Sequence, residues 1–201
     1  LRTEFNINTG FRDGDMKKVK LKSEMKRYYN MAGIKTARYC LVTSKEECKQ
    51  FIAEVGYPVI VKPDNGVGAS DTHRLCSDSD LECFLNTKLP VSYIMEEYID
   101  ATVNSYDAIV NSRGEPIFET GNVTLGSLMD VVNTGDSSMF YIVNRPFDDV
   151  RDAGRRALKA FGVKSRFVHF EFFRLNRDQH IGKKGEVVAL EVNMRPSGGI
   201  S

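Results

Sequence analysis

Phe167-Val-His-Phe-Glu-Phe-Phe-Arg-Leu175 and Val187-Val-Ala-Leu-Glu-Val-Asn-Met-Arg195 are the two stretches on which the reading of this chain turns. In an extended strand successive side chains point to opposite faces. The first stretch therefore sets His169, Glu171 and Phe173 against Val168, Phe170 and Phe172. In the second, Glu191, Asn193 and Arg195 face away from Val188, Leu190, Val192 and Met194. The polar, turn-prone segment 176–185 predicts a hairpin that brings Glu171 near Glu191 and Asn193. Two carboxylates and an amide oxygen form a hard-oxygen set suited to Mg²⁺ with room for waters and phosphate oxygens. A half-exposed sheet with ordinary polar outward residues has the same pattern, since E-x-N is short.

Outward from this hairpin, the apolar set Val150, Ala153, Ala157, Leu158 and Phe161 predicts a helix from about Pro146 to Phe161, ended by Gly162. Strands are expected over 103–111, 116–123 and 139–143. Nearer the start, Leu21, Met25, Tyr28, Tyr29 and Ala32 share one helical face closed by Gly33. Ser44 and Glu47 form a capping box ahead of Cys48, Phe51, Ile52 and Val55, with Gly56 as the stop. A strand then runs from Tyr57 to Lys62, a short helix from Ser77 to Leu85, and a strand from Val91 to Ile99 through Glu96-Glu97. The order is α+β rather than strict βαβ alternation.

Lys62 ends an apolar strand, where an ammonium is costly to bury unless an anion faces it. The glycine-rich turn Gly66-Val-Gly-Ala-Ser70 follows, whose backbone N–H groups could wrap a phosphate. A lysine snorkelling from a strand end before an ordinary turn is the alternative. Adjacent Glu96 and Glu97 must point to opposite faces, so one of them is a candidate for a cleft and the other for a solvated edge. Asn104, Ser105 and Asp107 either line the same cleft or face solvent. His73, His169 and His180 have no mutual ligand spacing.

Composition narrows the function classes. With 28 Lys and Arg against 27 Asp and Glu, the net charge of +1 lacks the field that recruits nucleic acid non-specifically. No apolar run reaches the 18 or more residues of a membrane span. Cys40, Cys48, Cys76 and Cys83 form no CxxC pair, which favours a reducing, cytoplasmic setting. At 201 residues the chain holds one domain or two close lobes, and 41% hydrophobic residues suffice for a core. The start at Leu1 and the end just after Gly198-Gly199 lead us to expect a piece of something longer.

Taken in order, these pieces resemble the ATP-grasp superfamily, in particular its carboxylate-amine ligase branch with carbamoyl-phosphate-synthase-like and biotin-carboxylase-like members. The resemblance runs from about Lys22 to Gly199. It rests on Lys22-Ser-Glu-Met-Lys ahead of Ala32-Gly-Ile34, on Gly56-Tyr-Pro-Val-Ile-Val-Lys62-Pro, and on Gly66-Val-Gly-Ala-Ser70. Met95-Glu-Glu-Tyr-Ile99, Phe170-Glu-Phe172 and Glu191-Val-Asn-Met-Arg195 complete it.

The resemblance implies two α+β lobes gripping a nucleotide between their sheets: an arm at 1–20, an N-terminal lobe at 21–98 and a truncated C-terminal lobe at 99–201. It implies that Lys22 and Lys62 bind ATP phosphates and that Gly66, Gly68 and Ser70 belong to the phosphate-covering loop. Glu96 and the backbone around Glu97, Tyr98 and Ile99 would hold adenine, with a residue near Asn104 close to the ribose. Glu171, Glu191 and Asn193 would carry one or two Mg²⁺, with Mn²⁺ as a substitute, while Arg195 and Lys62 act at the transferred phosphoryl group. The implied function is an ATP-dependent ligase that activates a small-molecule carboxylate as an acyl phosphate for attack by an amine. A catalytically silent ATP-binding regulatory module and an enzyme activating bicarbonate are the alternatives. Expected partners are small molecules rather than nucleic acid or membrane, with a homo-oligomer left open.

Overall fold

A computed structural model describes residues 1, 3–7, 11, 13–65, 71–125 and 139–198. Within the expected arm lies a short helix α1 (Lys17–Lys20), followed by α2 (Lys22–Met31), β1 (Lys35–Thr36), β2 (Tyr39–Leu41) and α3 (Lys45–Val55). Then come β3 (Val59–Pro63), β4 (His73–Leu75), α4 (Asp78–Thr87), β5 (Tyr93–Glu97), β6 (Ala101–Val110) and β7 (Pro116–Leu125). The chain closes with β8 (Met139–Val143), α5 (Asp148–Phe161), β9 (Arg166–Leu175) and β10 (Val187–Asn193). Among the described residues no helix is long and apolar enough to cross a membrane.

The strands form two sheets, one of four strands in the order β2-β5-β3-β4 and one of six in the order β1-β10-β9-β6-β7-β8. The change of sheet falls between Glu97 and Ala101. In the smaller sheet Val59, Val61, Tyr93 and Met95 pack under α3 and α4 against Cys48, Phe51, Leu81 and Phe84. Alternation then turns Ile60, Lys62, Ile94 and Glu96 to the other face. Both helices begin as their sequences direct: Ser44 Oγ accepts from the Glu47 N–H at 3.2 Å, and Ser77 Oγ from that of Asp80 at 3.2 Å.

The larger sheet is covered on one face by α2 and α5. Tyr29, Phe161, Phe170 and Phe172 are its aromatic centre, with Tyr29 and Phe161 ring centroids 5.1 Å apart and edge-on. The α2 helix thus packs on the second sheet, although its sequence position puts it with the first lobe. Gly154 in α5 lies so close to Tyr106 that an added Cβ would stand 2.2 Å from the nearest atom of the phenol ring. Gly154→Ala should lower stability by about 1–2 kcal/mol, because overpacking outweighs the gain in helix propensity. Urea denaturation checks this, and a variant as stable as the parent would contradict the packing.

Three short strands, β1, β2 and β4, were not foreseen; segments of two or three residues carry too little periodicity. A second departure matters for the site. Between Ala189 and Glu191 the β9–β10 register shifts, leaving Leu190 as the extra residue of a bulge. Ala189 and Val192 therefore share the helix-covered core, while Val188 lies in a separate cluster with Ala37, Ile99 and Leu175. Strict alternation had put Val188 and Val192 on one face.

Candidate functional site

The six-stranded sheet turns its uncovered face toward Lys62 and Glu96. On β9 and β10, Glu171 and Glu191 are direct cross-strand partners and Asn193 lies opposite His169. On the neighbouring strand, Ser105 is paired with Glu171 and Asp107 with His169. The bulge at Leu190 places Glu191 on this face, and the buried Tyr29 hydroxyl fixes it there by donating to the Glu191 carbonyl at 2.8 Å. His169 is held between two carboxylates, with Nδ1 2.6 Å from Asp107 Oδ1 and Nε2 3.3 Å from Glu171 Oε1. Burial works against its protonation, but those two acids outweigh it and push the imidazole up to about 9.

The first turns of α2 join the two sheets. Lys22 and Lys26, one helical turn apart, share a face and are both buried. The α2 N-terminus is tethered to the loop after β3: Asp64 accepts from the Ser23 N–H and hydroxyl, both at 2.8 Å, and the Lys22 N–H donates to the Asp64 carbonyl at 2.9 Å. Lys22 Nζ stands 3.9 Å from Glu191 Oε1. Lys26 Nζ is 2.8 Å from Glu96 Oε1, and Lys62 Nζ is 2.7 Å from Glu96 Oε2.

The electrostatics follow from this crowding. Burial pushes the Glu96 carboxyl up, yet Lys26 and Lys62 together hold it down at about 2. Burial lowers Lys26 from the ordinary ammonium range even though Glu96 opposes it. The two partners thus pull in opposite senses, and the contact of both carboxylate oxygens with ammonium groups decides for the charged trio. Lys22 is likewise lowered by burial, against the pull of Glu191. Glu191 is raised by burial; Lys22 opposes the shift and Glu171 adds to it.

Of the residues singled out in the sequence, Lys22, Lys62, Glu96, Glu171, Glu191 and Asn193 come together across the cleft. Arg195 is exposed just beyond β10, donating to the Pro196 carbonyl at 3.0 Å. Glu97 turns to the opposite side of β5, where its carboxylate accepts from Arg38 Nη2 at 2.7 Å; its N–H donates to the Arg38 carbonyl at 3.1 Å. Tyr98 packs under Arg74, with the guanidinium 4.8 Å from the ring centroid, and Ile99 is buried beside Val188. Asn104 shares the parity of Tyr106 and so lies on the helix-covered face, its Nδ2 donating to the Thr102 carbonyl at 3.1 Å. Gly66, Gly68 and Ser70 lie outside the described residues.

Sequence reading missed Lys26; its signal was the four-residue spacing from Lys22 on one helical face. It also set His169 aside for want of ligand spacing, whereas its partners Asp107 and Glu171 come from cross-strand register and strand alternation. A separate cleft of about 580 Å³ opens on the Glu97 side of β5, lined by Arg38, Glu54, Phe51 and His180. Its charges are spent on one another, Arg38 pairing with both Glu97 and Glu54.

Among the described residues no three His, Cys, Asp or Glu side chains are grouped to hold a metal by themselves. The donor set still fits a hard divalent cation. Two carboxylates oppose each other across one strand pair, Glu191 is disfavoured as an anion, and the Asn193 amide lies two residues along the same strand. Mg²⁺ commonly takes only one or two carboxylates and completes its shell with waters and phosphate oxygens.

No family model matches the chain. In sequence it is 26% identical over 193 residues to a carbamoyl phosphate synthase large chain of Rubrobacter xylanophilus, covering 88% of this chain and 16% of that one. In structure it is similar to an N5-carboxyaminoimidazole ribonucleotide synthetase in its ADP complex, with a TM-score of 0.71 and 18% identity over 91% of this chain and 46% of that one. It is also similar to the ATP-grasp ligase PsnB complexed with a minimal precursor, at a TM-score of 0.64 and 20% identity over 93% and 56% of the two chains. The chain thus spans about a sixth of its sequence relative and about half of each structural one. Two sheets with their polar faces turned to a shared cleft, lysines from the first lobe and acids from the second, and these likenesses agree on one conclusion: the chain has the fold of the ATP-grasp ligases.

Proposed function

We propose that the chain binds ATP with Mg²⁺ between the two sheets and uses it to activate a small-molecule carboxylate for attack by an amine. The observation that carries this reading is the meeting of Lys22, Lys62 and Glu96 with the opposed pair Glu171 and Glu191 across one cleft. Lys22 and Lys62 provide positive charge for the phosphates, while Glu96, an acceptor without a proton, suits an amino donor on the base. The Ile99, Leu175 and Val188 cluster gives the base an apolar neighbour. The Glu97 and Asn104 side chains turn elsewhere, and the backbone around Glu97 to Ile99 serves the base instead.

Glu171, Glu191 and Asn193 hold the cation, which when bound neutralises and orients phosphate oxygens. A carboxylate oxygen of the substrate attacks the γ-phosphorus and ADP leaves, giving an acyl phosphate. The amine nitrogen then attacks the acyl carbon, phosphate leaves, and the nitrogen loses a proton. This chain's contribution is positioning and charge stabilisation, with Arg195 near the transferred group. The carbamoyl phosphate synthase relative and the ligases of similar fold support this chemistry.

Calorimetric titration with a non-hydrolysable ATP analogue, with and without Mg²⁺, tests the reading. Binding is expected to require Mg²⁺ for full affinity and to weaken about tenfold or more in Lys62→Ala, the loss of one charge-assisted contact. A folded chain that binds no nucleotide would overturn it.

A further inference from the structure

One acceptor on the acidic face has no donor. Asn122 of β7 is 8% exposed, and its Oδ1 is buried without a hydrogen-bond partner among the described residues. Its amide is oriented by Nδ2, which donates to Ser197 Oγ at 2.8 Å. The neighbours cannot supply the missing proton. Ser105 Oγ accepts from the Asn122 N–H at 2.7 Å and spends its own hydrogen on Asp107 Oδ2. The Ser197 hydroxyl is directed to the Gly198 carbonyl at 3.4 Å. His169 gives its two ring nitrogens to Asp107 and Glu171.

This is a built arrangement. Gly121 lets β7 approach β6 so closely that a Cβ there would fall on the Ser105 carbonyl oxygen. That approach sets Asn122 beside Ser105, which pairs in turn with Glu171. Asn122 therefore lies two strands from Glu171, the nearer of the candidate metal carboxylates, about 10 Å across the sheet. Ser197 ties it to the segment carrying Arg195. A buried, unmade acceptor is a cost to stability that an apolar side chain at this position would avoid.

The ligand that completes the site must donate N–H or O–H. Asp107 and Glu171, with only His169 between them, leave the surroundings anionic and favour a cationic donor. We infer that Asn122, supported by Ser105, Asp107 and Ser197, binds the amino group of the acceptor substrate, delivering it beside the carboxylate to be activated. The inference rests on the ligase reading above and adds to it the place and chemistry of the second substrate.

Methylammonium chloride is the probe, with tetramethylammonium chloride, equal in charge but lacking N–H, as control. Both are titrated into ¹⁵N-labelled protein with and without the Mg²⁺-bound ATP analogue. The Asn122 side-chain amide and Ser105 backbone resonances should shift saturably with methylammonium and not with tetramethylammonium. In Asn122→Leu the Ser105 shift should weaken about tenfold or more in apparent affinity, whereas Asn122→Asp, which keeps the acceptor, retains it. No saturable shift in the parent protein, or one unchanged in Asn122→Leu, overturns the inference and leaves water as the occupant of the position. If the nucleotide analogue fails to bind, the ligase reading fails, while the titration without nucleotide still decides whether Asn122 receives an amine.

Discussion

Glu96→Gln should destabilise the protein by about 3–5 kcal/mol at neutral pH, because it removes the charge that, among the described residues, both Lys26 and Lys62 contact, while preserving the shape. The pH dependence gives an independent check. Glu96 is held at about 2 in the folded chain, against an ordinary glutamate value of about 4.3 in the unfolded one. A carboxyl whose folded value is depressed stabilises above its unfolded value, and that stability disappears as the folded value is approached from above. The contribution, about 3 kcal/mol, should be complete above pH ~4.3 and vanish toward pH ~2.

Urea denaturation of the parent and Glu96→Gln at several pH values reads both effects. The difference between them should close in acid. At alkaline pH the variant should recover, since burial already holds Lys26 below its ordinary range and loss of its proton removes an unpaired buried charge. A difference that persists unchanged to pH 2 would show that Glu96 acts through packing alone.

Glu191→Gln should leave the fold intact and lower Mg²⁺-dependent ATP turnover about 100-fold or more. Gln keeps the volume and one oxygen but removes the charge, and the Tyr29 bond to the Glu191 carbonyl belongs to the backbone and survives. Burial disfavours the Glu191 charge and Glu171 repels it, and together these outweigh the attraction of Lys22 at 3.9 Å, so the thermal stability of the variant without Mg²⁺ should match or exceed that of the parent. The stabilisation that Mg²⁺ and nucleotide give the parent should be largely lost. Unchanged turnover, or unchanged stabilisation by Mg²⁺, would remove Glu191 from the metal set.

The meeting of Glu171 and Glu191 across one strand pair was not automatic. It rested on a hairpin, and the hairpin exists, but alternation alone assigns β10 incorrectly across Leu190. Glu191 still reaches the acidic face because the bulge falls before it, so the residues from Glu191 onward keep their parity with one another. Asn104 shows the opposite outcome. It lies among polar residues that alternate with core positions, and one residue of displacement separates the cleft face from the face under α5, a difference that the resemblance does not resolve. Lys26 was legible as a helical neighbour of Lys22, but a lysine on an amphipathic helix is ordinarily solvated, and only the position of Glu96 explains why this one is buried.

The sequence by itself determined the helices, through their apolar stripes and the caps at Ser44 and Ser77, the longer strands, through alternation, and the order of motifs that marks the superfamily. These are local properties, fixed by spacing within about one or two turns of chain. Tertiary structure decided which charges meet. The pairing of Lys26 and Lys62 on Glu96, the clasp of Asp107 and Glu171 on His169, and the unmade acceptor of Asn122 depend on strand register, on one bulge, and on a helix from the first lobe docking against the second sheet. Apart from the Glu171 side of the His169 clasp, which strand alternation sets, none of these is encoded in the spacing of the residues concerned, because groups 34 to 75 positions apart are brought together only when the sheets have formed and turned their polar faces to one cleft.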